Sequence, residues 1–276
     1  MQPRHENRTQ YFREQEWTTR KFVLPLLRKF AQIDGHASVL EIGCGEAGNL
    51  KPFLDIGCER IVGVDKTASK IRKARNFLPD GSQSIELLCE DIYDVKGLGT
   101  FDVVLVRDTL EHIHGQERFM SFIKRFVGTG GVVFLGFPPW HNPFGGHQQM
   151  CKGRFISKVP YLHILPASIY QFILEASGEE KRKVNNLLEI KATGITIERF
   201  EDILQKTGYG ALQKTLYFIN PHYETKFGLK PRKQLSLISA IPYLRNFLIT
   251  TCYYVVSPKD SSLASEKHSL LSYASA

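Results

Sequence analysis

Short apolar runs alternate with helical stretches along most of this chain. The run "SVLEI" (38–42) ends in glycines, and a helix is predicted to start near Gly48, with Pro52 allowed in its first turn. "RIVGVD" (60–65) leads into the basic helical stretch "TASKIRKARNFL". "SIELLCED" (84–91) and "FDVVLV" (101–106) are the third and fourth runs. "GQERFMSFIKRFV" reads as a helix and "GGVVFLGF" (130–137) as a fifth strand. Apolar runs joined by helices predict a parallel sheet covered on both faces, an α/β fold.

The rhythm has a lead-in and an interruption. Residues 1–10 are polar and expected to be disordered, and Phe22, Leu26, Leu27 and Phe30 recur at helical spacing, with a break near Pro25. After Phe137 the pattern stops, and 138–195 reads as an insertion. It has an aromatic, glycine- and histidine-rich start, a helix from about Ser168 with Ser168 and Gln171 at capping-box spacing and Gly178 just past its end, and a second helix in "EEKRKVNNLLEI". "TIERFEDILQKTGYG" then gives a helix stopped by Gly208, "ALQKTLYFI" (211–219) a sixth strand and "NFLITTCYYVV" a seventh. The expected organisation is an N-terminal helical cover (1–34), a main domain (35–137 and 196–257), the insertion (138–195) as a substrate lid, and a flexible Ser-rich tail (258–276).

Composition narrows this picture only a little. The chain has 276 residues, 42% hydrophobic and 23% charged, with Lys+Arg 36 against Asp+Glu 28. That excess tolerates an anionic partner and selects none. Five scattered cysteines without a C-x-x-C read as free thiols in a reducing, cytoplasmic compartment. The polar N-terminus gives no secretory signal. The apolar stretch "LISAIPYLRNFLITTCYYVV" is broken by Pro242, Arg245 and Asn246, so no integral membrane segment is expected.

The chemistry concentrates in "VLEIGCGEAGNL" (39–50). Gly43, Gly45 and Gly48 spell G-x-G-x-x-G, which alone fits a dinucleotide site. Glu41 changes that reading. A carboxylate there would repel a pyrophosphate by several kcal/mol, yet it would suit a cationic ligand without phosphate, such as S-adenosylmethionine. Asp65 is placed to accept the hydroxyls of a ribose, and Asp91 to accept from an adenine amino group. Either acid alone could merely cap a helix or a turn.

The ordered set "VLEIGCGEAGNL", "IVGVD", "CEDIYD", "FDVVLVRDTLEHI" and "GGVVFLGFP" resembles the class I S-adenosylmethionine-dependent methyltransferases, in the small-molecule branch related to the quinone-biosynthesis enzymes. The resemblance covers about 38–137 strongly and 196–256 by pattern. It implies a Rossmann-like seven-stranded sheet whose last strand is antiparallel and inserted beside the sixth. It further implies that Glu41, Gly43 and Gly45 serve the methionine part of the cofactor, with Cys44, Gly48 and Lys66 also cofactor-binding. Asp65 would serve the ribose, Asp91 with Ile92 the adenine, and the segment of Arg107 would lie near the methionine end. Tyr11 would belong to a helix closing over the cofactor.

The acceptor side is less defined. A methyl sulfonium is already activated, so alignment matters most, though a hydroxyl acceptor would need a base. His112, in the acidic–histidine pair Glu111–His112, is one candidate. His141 and His147, in "PPWHNPFGGHQQ", are the others. Trp140, Phe144, His147 and Gln148 are expected to line the acceptor pocket, with Gly145 and Gly146 permitting an unusual turn. Arg107 either meets an anionic acceptor or pairs with Asp108 or Glu111. No metal is expected, since His112, His141 and His147 lack ligand spacing. The expected activity is methyl transfer to a small molecule, with an anionic or lipid-like acceptor left open and no nucleic-acid partner. The alternatives are an RNA or protein methyltransferase, suggested by clusters such as Lys70, Arg72, Lys73 and Arg75, and an NAD(P)-dependent oxidoreductase.

Overall fold

The computed structural model describes residues 7–79 and 84–259, so the stretches 1–6 and 260–276, expected to be loose, lie outside it. Helix α1 (Arg8–Thr18) already begins inside the segment expected to be disordered, capped by the Asn7 side chain, which accepts from Gln10 N–H. It runs through a wide π turn (Thr19–Val23) into α2 (Leu24–Leu27). The expected break at Pro25 is absorbed there. Its ring would crowd the carbonyl one turn earlier, and widening the preceding turn relieves that clash without ending the helix.

The main rhythm follows in order. Strand β1 (Ser38–Ile42), α3 (Lys51–Ile56), β2 (Arg60–Val64), α4 (Ala68–Phe77), β3 (Ile85–Leu88), β4 (Phe101–Arg107), α5 (Gln116–Ile123) and β5 (Val127–Phe137) alternate as the apolar runs predict. In the 138–195 stretch, α6 (Ala167–Ala176) and α7 (Lys181–Thr193) are the two helices. The expected Ser168 cap is absent: α6 starts after Pro166 without a side-chain cap, because Pro166 already fixes the entering backbone. Then come α8 (Ile197–Lys206), β6 (Tyr209–Ile219), α9 (His222–Phe227), β7 (Arg232–Lys233), two single-turn helices α10 (Ser236–Ser239) and α11 (Leu244–Phe247), and β8 (Thr251–Pro258).

The sheet order is β3-β2-β1-β4-β5-β8-β6-β7. It has eight strands, not the expected seven, because the two-residue β7 adds an edge opposite Tyr217 and Ile219. Strands β1 to β5 pair in parallel, while β8 enters antiparallel between β5 and β6. Successive side chains of a strand point to opposite faces, and here both faces are apolar. Leu40, Val62, Val104, Val133 and Tyr254 belong to one core. Their chain neighbours Val39, Ile61, Val103, Val132 and Tyr253 belong to the other. The 138–195 stretch has a small core of its own: Cys151, Ile156, Tyr170, Leu174, Val184 and Leu187. It leaves β5 and leads into α8 at one place, where Trp140 N–H donates to Ile195 O at 2.7 Å. Among the described residues no helix is long and apolar enough to cross a membrane.

Candidate functional site

The C-terminal ends of β1, β2 and β4 open onto one cavity of about 390 Å³, walled by Gly43, Asp65, Lys66, Asp91, Ile92, Asp108, Thr109 and His112 among others. Gly43 turns beneath it with φ 76°, and a Cβ there would lie 2.3 Å from Thr109 Oγ1, so only glycine fits. Gly45 N–H donates to Asp65 Oδ2 at 3.0 Å, and Asp65 Oδ1 accepts from Thr67 N–H at 2.8 Å where α4 starts. Asp91 lies in the turn beyond β3, exposed, and accepts from Tyr93 N–H at 3.1 Å. Both acids therefore brace local backbone and face the cavity with lone pairs to spare.

Glu41, Cys44, Gly45, Gly48, Arg107 and Tyr11 stand outside that wall. Glu41 is fully buried behind the turn; its Oε1 accepts from Asn49 Nδ2 at 2.7 Å, and its Oε2 has no partner among the described residues. Asn49 Oδ1 accepts in turn from Arg107 Nη1 at 2.8 Å and Thr19 Oγ1 at 2.9 Å. One amide thus bridges a buried carboxylate and a buried guanidinium. Burial pushes the Glu41 carboxyl up to about 8, against the opposing pull of Asn49 and Arg107. Arg107 Nε lies 3.6 Å from Asp108 Oδ2, the pairing expected for it. Cys44 is buried against Gly63, where a Cβ would meet its sulfur at 2.9 Å. Helix α1 rests directly on the loop. A Cβ on Gly48 would meet the Phe12 carbonyl at 2.5 Å, Arg8 Nε donates to Glu46 Oε1 at 2.7 Å, and the Arg8 guanidinium stands 4.7 Å over the Tyr11 ring.

A second cluster lies on the same side as Asp108. The single turn Leu110–His112 follows β4 and carries Glu111 inward. Glu111 is buried, its Oε2 has no partner among the described residues, and burial together with the Asp108 charge raises its pKa well above the carboxylate range. The His112 ring meets the His147 ring edge-on, centroids 5.2 Å apart at 87°. Partial burial, with the charges of Lys70 and Lys66, pushes His112 down to about 4, so its imidazole is neutral at pH 7. His147 holds a left-handed backbone, φ 58°, costly for a residue with a side chain. Ligand atoms of Glu111, His112 and His147 all lie within 4.8 Å of one another. The turn is fixed from the insertion: Thr193 Oγ1 donates to Glu111 O at 2.6 Å, and Gln116 Nε2 donates to Leu110 O and Thr193 O at 3.1 and 2.8 Å.

The other expected acceptor residues go elsewhere. His141 stacks on Phe247, ring centroids 5.1 Å apart, and does not join His112 and His147. Trp140 packs on Gly194, where a Cβ would fall 2.6 Å from its ring. Gln148 is fully buried and donates from Nε2 to Pro143 O at 3.3 Å and Val159 O at 3.2 Å. Phe144 is half-buried, its N–H donating to Asn142 Oδ1 at 2.8 Å. These side chains brace the loop, because its folded-back backbone has no ladder to satisfy its carbonyls. Gly145 and Gly146, expected to permit an unusual turn, do not enter the left-handed region. They provide clearance, since Cβ atoms there would fall 2.1 Å from Trp140 O and 2.2 Å from His163 Cβ.

A family model described as a methyltransferase domain matches residues 10–148. The ubiquinone biosynthesis O-methyltransferase of Mesorhizobium japonicum is 29% identical over 169 residues, 59% of this chain and 65% of that protein. The enzyme of the same name from a Bradyrhizobium species is 32% identical over 97 residues, 35% of this chain and 38% of that protein. The chain thus matches less than two thirds of the length of either relative. Among solved structures, an S-adenosylmethionine-dependent methyltransferase from Clostridium acetobutylicum aligns with a TM-score of 0.53 at 11% identity, covering 88% of this chain and 91% of that one. The plantazolicin methyltransferase BpumL in complex with SAH gives a TM-score of 0.52 at 13% identity, covering 93% and 88%. At such identities the likeness is one of fold.

Proposed function

The chain belongs to the S-adenosylmethionine-dependent methyltransferases, and on that premise we propose that it methylates a compact small-molecule acceptor held beneath the 138–195 insertion. The observation that carries this reading is the edge-on contact of His112 with His147, which brings the insertion against the mouth of the cofactor cavity. The O-methyltransferases among its relatives favour an acceptor hydroxyl.

Gly43, Asp65, Lys66, Asp91 and Ile92 form the cofactor wall in this proposal, with Gly45 N–H holding Asp65 from behind. Gly43 offers bare backbone, Asp65 accepts from the ribose hydroxyls and Asp91 from the adenine amino group. Glu41 supplies negative charge behind the methionine end, with Arg107 and Asn49 fixing its orientation and α1, with Tyr11, covering the loop. The transfer is an in-line displacement: the acceptor atom takes the methyl, and the S–C electron pair returns to sulfur. Neutral His112 stands where an acceptor proton could leave.

Calorimetric titration with S-adenosylhomocysteine, NADH and a single-stranded RNA tests the proposal. Tight S-adenosylhomocysteine binding is expected, followed by label transfer from S-adenosylmethionine to a member of a phenol and carboxylate panel. Tight NADH binding without S-adenosylhomocysteine binding, or transfer only to RNA, overturns it. Glu41→Gln is expected to weaken S-adenosylhomocysteine by about 10- to 100-fold, the worth of a hydrogen-bonded charge. Because burial holds the Glu41 carboxyl up to about 8 and a cation favours its ionised form, affinity in the parent protein should rise with pH up to about 8 and then level off. Glu41→Gln should remove that slope.

A further inference from the structure

We propose that the connection between β6 and β8 docks on an anionic lipid surface, as a peripheral membrane-binding face. Nine of the thirteen large apolar side chains that stand exposed among the described residues fall from Phe218 to Leu248. Single exposed apolar residues are ordinary, but a concentrated patch marks an interaction surface. Leu235 is 69% exposed, Leu237 77% and Tyr243 69%. Lys230, Arg232 and Lys233 stand exposed among them. Glu224 is the only acid from Phe218 to Leu248, and Lys21 already holds it at 2.9 Å. The patch lies apart from the cofactor-cavity wall and from the 138–195 insertion.

A firm footing holds these side chains outward. Within α11, Arg245 and Asn246 turn inward and are buried. Arg245 Nε and Asn246 Nδ2 donate to the Glu198 carboxylate of α8 at 2.8 and 2.6 Å, and Tyr243 N–H donates to its Oε1 at 2.9 Å. Gln234 N–H donates to Leu216 O at 2.8 Å and its Nε2 to Leu248 O at 2.6 Å, which ties β7 to the end of α11. With the polar groups rooted inward, Leu235, Leu237, Tyr243 and Leu244 are left to solvent. Tyr243 stands there with φ 62°, a left-handed backbone costly for a residue with a side chain. The cations and the apolar side chains together choose the occupant. Basic residues alone would blunt the sheet edge at β7, but exposed leucines beside them work against that protection. A two-fold contact with a second copy would set Lys230, Arg232 and Lys233 near their own like charges. An anionic bilayer suits both features: the cations lie at the headgroups, while the leucines and the Tyr243 ring sink beneath them. Phe247 of the same α11 stacks on His141 and lies 6.1 Å from the Tyr161 ring, so the docked face adjoins the insertion. Membrane docking does not rest on the methyl-transfer reading.

The test sediments the full chain with vesicles of phosphatidylcholine containing about one-third phosphatidylglycerol, and with vesicles of phosphatidylcholine alone, at about 0.1 M NaCl. Binding to the anionic vesicles is expected, at least about 10-fold weaker on the neutral ones. It should fall further as salt rises to about 1 M. Lys230→Ala with Lys233→Ala, and separately Leu235→Ser with Leu237→Ser, should each weaken vesicle binding by at least about 10-fold. Melting temperature and S-adenosylhomocysteine affinity of both variants should match the parent protein, which certifies the fold. Sedimentation with neither kind of vesicle, or equally with both, overturns the proposal. So does binding that both variants retain. A dimer in sedimentation velocity that Leu237→Ser dissociates assigns the face to a second copy and overturns it as well. Vesicle binding that depends on these residues, without S-adenosylhomocysteine binding, supports the membrane face and overturns the methyl-transfer reading alone.

Discussion

The sheet and the insertion are held together differently. In the sheet, neighbouring residues of each central strand enter two separate apolar cores, so every position carries burial on one face or the other. In the 138–195 stretch the separate apolar core is small, six buried side chains with a few half-buried ones such as Ile173 and Leu188 packed against them. Its first half is held largely by polar side chains that satisfy loop carbonyls: Gln148 on Pro143 and Val159, and Asn142 Nδ2 on Pro139 O at 2.8 Å. His163 belongs with them. It is fully buried, and its Nε2 donates to Trp140 O at 2.8 Å. Burial by area responds to side-chain volume, whereas burial of satisfied polar groups responds to protonation and to single hydrogen bonds.

The largest expected effect separates the two cores. Leu40→Ala and Leu174→Ala each empty a fully buried site and should each cost about 2–5 kcal/mol. Leu40→Ala is expected to lower the melting of the whole chain. Leu174→Ala should chiefly deprotect amides within 138–195, read by hydrogen exchange, with β1 and β4 amides unaffected. Equal deprotection of both regions by Leu174→Ala would make them one cooperative unit.

A smaller effect is expected from acid. Burial pushes His163 down to about 4, while in the unfolded chain it titrates near ~6.5. Between those values the unfolded chain holds the extra proton, so stability falls as pH falls from about 6.5 and the loss levels off below about 4. The full loss is about 3 kcal/mol. Denaturant midpoints across that range should show a slope that His163→Gln removes; an unchanged slope would move the sensitivity to another group. The smallest effect tests the seam between the regions. Thr193→Val deletes the bond to Glu111 O, for about 1 kcal/mol. It should lower kcat several-fold with S-adenosylhomocysteine affinity unchanged, whereas a matched loss of affinity would mean that the bond supports the cofactor wall.

The same contrast governs what could be read in the sequence. The strands were legible because alternate burial on two faces forces continuous apolar runs, and Gly43 because a sharp turn needs a residue without Cβ. The edge strand β7 was not: two exposed basic residues in "KPRKQ" carry no apolar pattern, and their pairing with β6 is purely backbone. Asn49 was missed since its partners, Glu41, Thr19 and Arg107, come from three separate elements. His163 left one trace, the adjacent Gly145 and Gly146, which make room for it; a lone histidine in "PYLHIL" gives no other sign. His112 and His147 were legible as candidates, but their meeting depends on how the insertion folds back.

The bond from Trp140 N–H to Ile195 O has a consequence for exchange of parts. It brings the departing and returning chain side by side, so everything between them closes on itself like a cassette with adjoining ends. A short bridge from Pro139 to Thr196 would span the gap at little entropic cost. Cassettes of other lengths could be grafted at the same seam while β5 and α8 keep their places, giving one cofactor platform a series of interchangeable roofs.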